Sequence, residues 1–495
     1  MRHFAKYDLV PLLSLLSVAA FPCVFLYARN CDEVPPGSMV PFLIVFTVTG
    51  LLMLGVFSVI FRNVSRGAFL ADLSLLVVIN FCLIAVNLKR LLPFFRDRYL
   101  MAILVVAFLW LFFLLLRKKP DLRSGCLLIL IAFSSMMAIN MILAIPTLLR
   151  TAEYQGLPQT GETVTFGENR PNVYYYIFDE YGGYENLLYY YNYDNWEFLE
   201  ALEERGFSVA RESRNTEAVE TVTIVPNLLN LRYTTNLKTP YQQKLAGVDN
   251  TYLSQIFRDN GYDLQLVNHV DYLGKTGMRV LTKNQTRRTI SEILMRNSLF
   301  QKSKRLKQLL DDFFVMDYGA NYRASLDNAM EEGLNAWQTA QDGPTFTLGY
   351  IQCPHSPTMV GPKGEELEFS QGWNWRRPEL YLGQVQYISG YILKLVDTIQ
   401  EHDPGAVIIL QSDHGNRYAI HMVQLAEWDS YDPYLHNPYM QNILNCVYYQ
   451  GQAFDIEGET GINTLRLVLR QVLGADLEPI EPKYDYSSNY QDEMS

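Results

Sequence analysis

Apolar positions along this chain change rhythm near residue 150. Before it they come in long unbroken runs at roughly 9–28, 40–61, 69–88, 99–116 and 126–147. Each run is near the about 20 residues a helix needs to cross hydrocarbon. The first is too long, and too soon followed by a second, for a cleaved signal peptide. Beyond residue 150 the apolar runs are short and β-rich: Asn172–Phe178, Tyr262–Val267, Pro344–Gln352, Ala406–Leu410 and Asn445–Tyr449. Helix-like stretches lie between them, and the alternation predicts an α/β fold with a largely parallel central sheet. The expected organisation is a five-helix transmembrane domain over 1–150, a polar Gly- and Pro-containing tether over 151–170, and an α/β domain over 171–495.

Three helices are expected from local pattern. Val222–Leu231 would carry Pro226 in an early turn, where a missing N–H costs little. Gln242–Gly261 would stop at Asn260-Gly261. Thr289–Phe314 reads as amphipathic, with Lys302, Lys304, Arg305 and Lys307 on a solvated or headgroup-facing side. The tyrosine-rich stretch 184–196 offers aromatic faces for the core, for sugars or for a membrane interface.

Charge separates the two parts. Of the 41 basic and 52 acidic residues, 14 and 6 lie in 1–150, leaving 27 and 46 beyond: net +8 against −19. An acidic soluble part is a poor partner for nucleic acid. With the N-terminus inside, eight basic residues of 1–150 fall on the cytoplasmic side and six outside. Arg117-Lys118-Lys119 is the strongest anchor, and an odd number of spans puts 151–495 outside the cytoplasm. Asp72, near the start of the third run, is a carboxyl in or at the edge of hydrocarbon. Only Cys353 and Cys446 of the 6 cysteines fall in the soluble part, in no zinc-finger spacing, which argues against a disulfide scaffold or a cysteine metal site.

Candidate chemistry sits where two short strands end. Ala406–Leu410 runs into Ser412-Asp413-His414-Gly415, and Asn172–Phe178 into Asp179-Glu180-Tyr181-Gly182-Gly183. Open α/β sheets place ligands at such strand ends. Carboxylates with an imidazole suit zinc, or manganese if more oxygens join. A turn whose Asp and Gly only supply the bend fits the first segment equally. Thr221, at or just before the start of the Val222–Leu231 helix, is either an N-cap or a hydroxyl set at a positive helix end beside a metal.

Taken in order, NVYYYIFDE, TVTIVPN and SDHG below five spans resemble the alkaline phosphatase/sulfatase superfamily. Within it, the resemblance is to the membrane-anchored branch of lipid A phosphoethanolamine transferases and lipoteichoic acid synthases. The resemblance implies an extracytoplasmic catalytic domain at the cell membrane that transfers a phospho-headgroup from a membrane phospholipid to an envelope glycan or lipid. It implies Thr221 as nucleophile, with Thr223 if the register slips by two. It implies Asp179, Asp413 and His414, with Glu180, as ligands of a divalent metal, zinc or manganese. His355, after the Pro344–Gln352 strand, would contact substrate or a second metal, and Arg417 substrate; one of His421 and His436 would complete a second site, though the family spacing fits neither well, and His269 receives no role. The chain departs from sulfatases in lacking C/S-x-P-x-R, and from the phosphoethanolamine transferases in lacking cysteines placed for their disulfides. A hydrolase of the same fold and a non-catalytic membrane protein with a decayed site are the alternatives.

Overall fold

The structure, a computed structural model, describes residues 8–31, 36–91, 96–152, 163–239, 241–270, 272–273, 276–282, 298–299, 318–339, 343–367 and 374–484. It forms two compact units: Met1–Glu153 with Arg288–Asp317, and Tyr154–Arg287 with Tyr318–Ser495. The helix expected over Thr289–Phe314 lies outside the described residues, apart from 298–299, as does the tail beyond 484.

The first unit contains five helices long and apolar enough to cross a membrane: α1 (Val10–Arg29), α2 (Val40–Phe61), α3 (Val64–Leu91), α4 (Asp97–Lys118) and α5 (Arg123–Ala152). All five expected runs are helices, the third and fifth several residues longer than the apolar runs. Leu15 and Val18 of α1, Phe42 and Phe46 of α2, and Ala71 and Leu75 of α3 form one buried cluster. Gly50 lets these helices close up, since a Cβ there would meet Leu75 and Leu15 side-chain carbons at 3.0 and 3.1 Å. Asp72 is fully buried.

The second unit is built on a 7-stranded sheet in the order β2-β7-β6-β1-β5-β3-β4. Its strands are β1 (Val173–Phe178), β2 (Ser208–Ala210), β3 (Asp263–Asn268), β4 (Arg279–Val280), β5 (Thr345–Ile351), β6 (Val407–Gln411) and β7 (Asn445–Tyr448). β6, β1, β5, β3 and β4 are mutually parallel; β7 pairs antiparallel with both β6 and β2. The expected mostly parallel α/β sheet is therefore present. β7 does not close it, because the three-residue β2 adds outside.

β1 is central and buried along its whole length. Its alternate residues face two cores, Val173, Tyr175 and Ile177 one way and Tyr174, Tyr176 and Phe178 the other. Three tyrosines survive burial because each phenol finds an acceptor: Asp403 Oδ2 at 3.1 Å, Gln411 Oε1 at 2.8 Å and Gly333 O at 3.3 Å. Gly349 of β5 makes room for the Tyr176 ring; a Cβ there would lie 2.0 Å from Tyr176 Cδ1.

Two expectations shift. The tether ends sooner than residue 170, because Val164 and Phe166 are buried in the core. Asn260 accepts from Phe166 N–H at 2.7 Å and donates to Val164 O at 2.7 Å. The helix expected over Gln242–Gly261 is two helices, α9 (Tyr241–Ala246) and α10 (Tyr252–Asp259). The chain breaks between them at Asn250, which adopts φ 46°, and Thr251 caps α10 through Ser254 N–H. Helices α6 (Tyr184–Tyr191), α7 (Trp196–Glu204) and α8 (Thr221–Leu229) precede these two.

Candidate active site

The carboxyl ends of β1 and β6, paired side by side, bring their following residues together. Asp179, Asp413 and His414 are all fully buried and each offers a ligand atom, all within 4.8 Å of one another. Asp179 Oδ2 accepts from the Tyr350 phenol at 2.6 Å. Asp413 Oδ1 accepts the backbone N–H groups of Glu180 and His414 at 3.0 and 2.9 Å, while its Oδ2 is buried with no hydrogen-bond partner. His414 Nδ1 lies 2.8 Å from Gly415 O, an acceptor only. Nδ1 therefore donates to that carbonyl, which leaves Nε2 as the ring nitrogen turned toward the carboxylates.

Thr221 completes the group. Its Oγ1 lies 3.2 Å from Asp179 Oδ1 and 3.3 Å from His414 Nε2. It is not the N-cap. Glu220 holds that position with extended backbone, and Thr221 is the first residue of α8. The helix begins one residue earlier than its sequence pattern suggests, so Pro226 falls beyond the first turn. Thr223, the alternative hydroxyl, is buried and donates to Glu220 Oε2 at 3.0 Å instead.

This group fits a divalent cation on its own terms. Among the described residues, the ion pairs give Asp413 the His414 ring and neither aspartate a lysine or arginine. Burial, and next the Asp413 charge, push the Asp179 carboxyl up. Two buried carboxylates with an imidazole nitrogen turned toward them, and with Asp413 Oδ2 accepting no hydrogen bond among the described residues, need a proton or a cation among them.

Glu180 does not join this group. It sits at φ 60°, in the left-handed region that costs a side-chain-bearing residue energy. That turn sends its N–H to Asp413 and its carboxylate the other way. Oε1 accepts from Arg417 N–H at 3.1 Å and Asn416 Nδ2 at 3.3 Å, and lies 3.4 Å from His421 Nε2; Oε2 lies 3.7 Å from His355 Nε2. Burial opposes the Glu180 charge, but Arg417, then His355 and His421, outweigh it and hold the carboxyl well below its usual range. Arg417 Nη2 reaches His355 Nε2 at 3.2 Å. His355 and Arg417, expected as substrate contacts, thus come together at a second cluster built on Glu180.

Of the two histidines offered for a second site, His421 lies in this cluster, with the Trp375 ring stacked on it at 3.6 Å. Tyr350 was not singled out; inside an apolar strand a phenol reads as core. His269 lies apart, buried against Tyr322 O at 3.3 Å, and burial pushes its pKa down to about 3. His436 packs among aromatics, with Nδ1 3.2 Å from the Tyr190 phenol.

No family model and no curated protein matches this sequence. Solved structures it resembles include the integral membrane lipooligosaccharide phosphoethanolamine transferase A of Neisseria meningitidis, at 14% identity and TM-score 0.42, covering 96% of each chain. The zinc complex of the C-terminal periplasmic domain of EcEptC from Escherichia coli matches at 12% identity and TM-score 0.42, covering 67% of this chain and 90% of that one. The lipoteichoic acid synthase LtaP of Listeria monocytogenes matches at 10% identity and TM-score 0.38, covering 69% and 80%.

Proposed function

We propose that this protein is a membrane-anchored, metal-dependent transferase that moves a phospho-headgroup of the glycerol phosphate or phosphoethanolamine type. The donor is a membrane phospholipid and the acceptor an envelope glycan or lipid. Residues 1–150 anchor the chain in the cell membrane, and residues 171–495 work outside the cytoplasm. The observation that carries this reading is the Thr221 hydroxyl, set at a helix start within 3.3 Å of two members of a buried Asp-Asp-His set.

Asp179, Asp413 and His414 would hold zinc, or manganese. Such an ion lowers the pKa of a hydroxyl and draws charge from a phosphoryl oxygen. Thr221 Oγ1 loses its proton and attacks phosphorus. The P–O bond to diacylglycerol breaks, and the leaving oxygen takes a proton. The headgroup then sits on Thr221 as a phosphodiester, until an acceptor hydroxyl attacks phosphorus and restores the threonine. Thr223 and Ile224 N–H donate to Glu220 O, so the N–H groups of Thr221 and Val222 at the start of α8 would meet the phosphoryl oxygens. Arg417 and His355 bind the anionic or hydroxyl part of the substrate, and Glu180 fixes both.

The test is release of diacylglycerol from fluorescent phospholipid in vesicles holding the full chain. The reading expects release by the wild type and none by Thr221→Ala; equal release by both contradicts it. Headgroup recovered free in solution, and not on an added acceptor, would mark a hydrolase instead.

A further inference from the structure

The residue before Thr221 is a glutamate, and its charge is a problem for the chemistry just proposed. A carboxylate at an N-cap favours the helix dipole. It also directly precedes Thr221 at the start of α8, and an uncompensated negative charge there would repel an anionic phosphoryl group.

The structure supplies an answer in Lys244. This lysine is 5% exposed and its Nζ donates to Glu220 Oε2 at 2.9 Å. Lysines are almost never buried this deeply unless paired. α9 is held against α8 without the ion pair: Asn230 Nδ2 donates to Gly247 O at 2.8 Å. Gly247 itself sits so near Pro226 that a Cβ would meet the ring at 2.8 Å. The lysine is thus carried to Glu220 by the backbone.

We infer that Lys244 is a positioning residue that cancels the Glu220 charge, keeping the start of α8 beside Thr221 receptive to a phosphate-type anion. This rests on the reading of Thr221 as the group that meets phosphorus. Thr223 Oγ1, donating to the same Glu220 oxygen, fixes the carboxylate where the lysine finds it.

The test uses the full chain in detergent, loaded with zinc, and inorganic phosphate as the probe, with affinity read by calorimetry. Lys244→Met should weaken phosphate binding about tenfold or more, because it leaves Glu220 uncompensated. Lys244→Arg should bind nearly as the wild type does. The double variant Glu220→Gln/Lys244→Met removes both charges and should return to within about threefold of the wild type. That recovery is what a merely structural lysine would not give, and the double variant decides if Lys244→Met alone fails to fold. Wild-type affinity in Lys244→Met, no recovery in the double variant, or no phosphate binding by a zinc-containing wild type each overturns the inference. A wild type that takes up no zinc overturns the reading of the site beneath it.

Discussion

Asp179, Asp413 and His414 differ from Glu180 in a way no residue type announces. All four lie just after strands, and a sequence shows them as one ligand set. The backbone separates them: Glu180 turns to φ 60°, and its carboxylate is spent on Arg417, Asn416 and His421. Strand ends and a hydroxyl before an apolar helix were legible. A left-handed residue with a buried ion cluster was not, because only tertiary contacts hold such a conformation. Asp413 Oδ2 accepts no hydrogen bond among the described residues, so Asp413→Asn should cut metal content at least about tenfold, measured by elemental analysis of purified protein. Unchanged content would remove Asp413 from the site. Glu180→Gln should instead leave metal content near wild type.

At the scale of elements, β1 shows how a strand can be read correctly and still hide its constraint. An unbroken apolar and aromatic run predicts a buried strand. It does not say which neighbour makes space for three tyrosines. Gly349 does so for Tyr176, and Gly349→Ala should destabilise the domain by about 1–3 kcal/mol, seen as a lower urea midpoint. No change would mean the ring moves aside freely. The segment leading to α8 offers a pH test. Glu217 is 4% exposed, and burial pushes its carboxyl up from the ordinary 4.5 to about 7. Its Oε1 accepts from Asn227 at 3.3 Å, while Oε2 has no hydrogen bond. A raised folded pKa of an acid means the unfolded chain ionises first, so stability is lost as pH rises from 4.5 through about 7. Glu217→Gln should therefore raise the thermal midpoint at pH 8 relative to wild type and bring little or no gain at pH 4. A gain of equal size at both would exclude titration as the cause. The two-helix break is marked in the sequence by Gly247, Asp249, Asn250 and Thr251, but the apolar spacing of Leu245, Val248, Tyr252 and Ile256 runs on across it and hides it.

The whole molecule joins five apolar helices to a mostly parallel sheet whose carboxyl edge carries both clusters. The count of helices long and apolar enough to cross a membrane was legible, because bilayer thickness sets a length that few soluble helices need. Helix ends were less so: α3 and α5 continue past the apolar runs at both ends. The proposed sidedness rests on an odd number of spans and the Arg117-Lys118-Lys119 anchor. A reporter that works only outside the cytoplasm, fused after Ser495, should be active; activity of a cytoplasm-only reporter would reverse the orientation. The central claim is that Thr221 carries the transferred group above the Asp179, Asp413 and His414 set. The direct measurement is tandem mass spectrometry of the peptide containing Thr221 after the full chain meets membrane phospholipid. The account predicts a headgroup phosphate adduct on Thr221, absent from Asp413→Asn protein. An unmodified Thr221 in protein that is turning over, or an adduct on another residue, would contradict it.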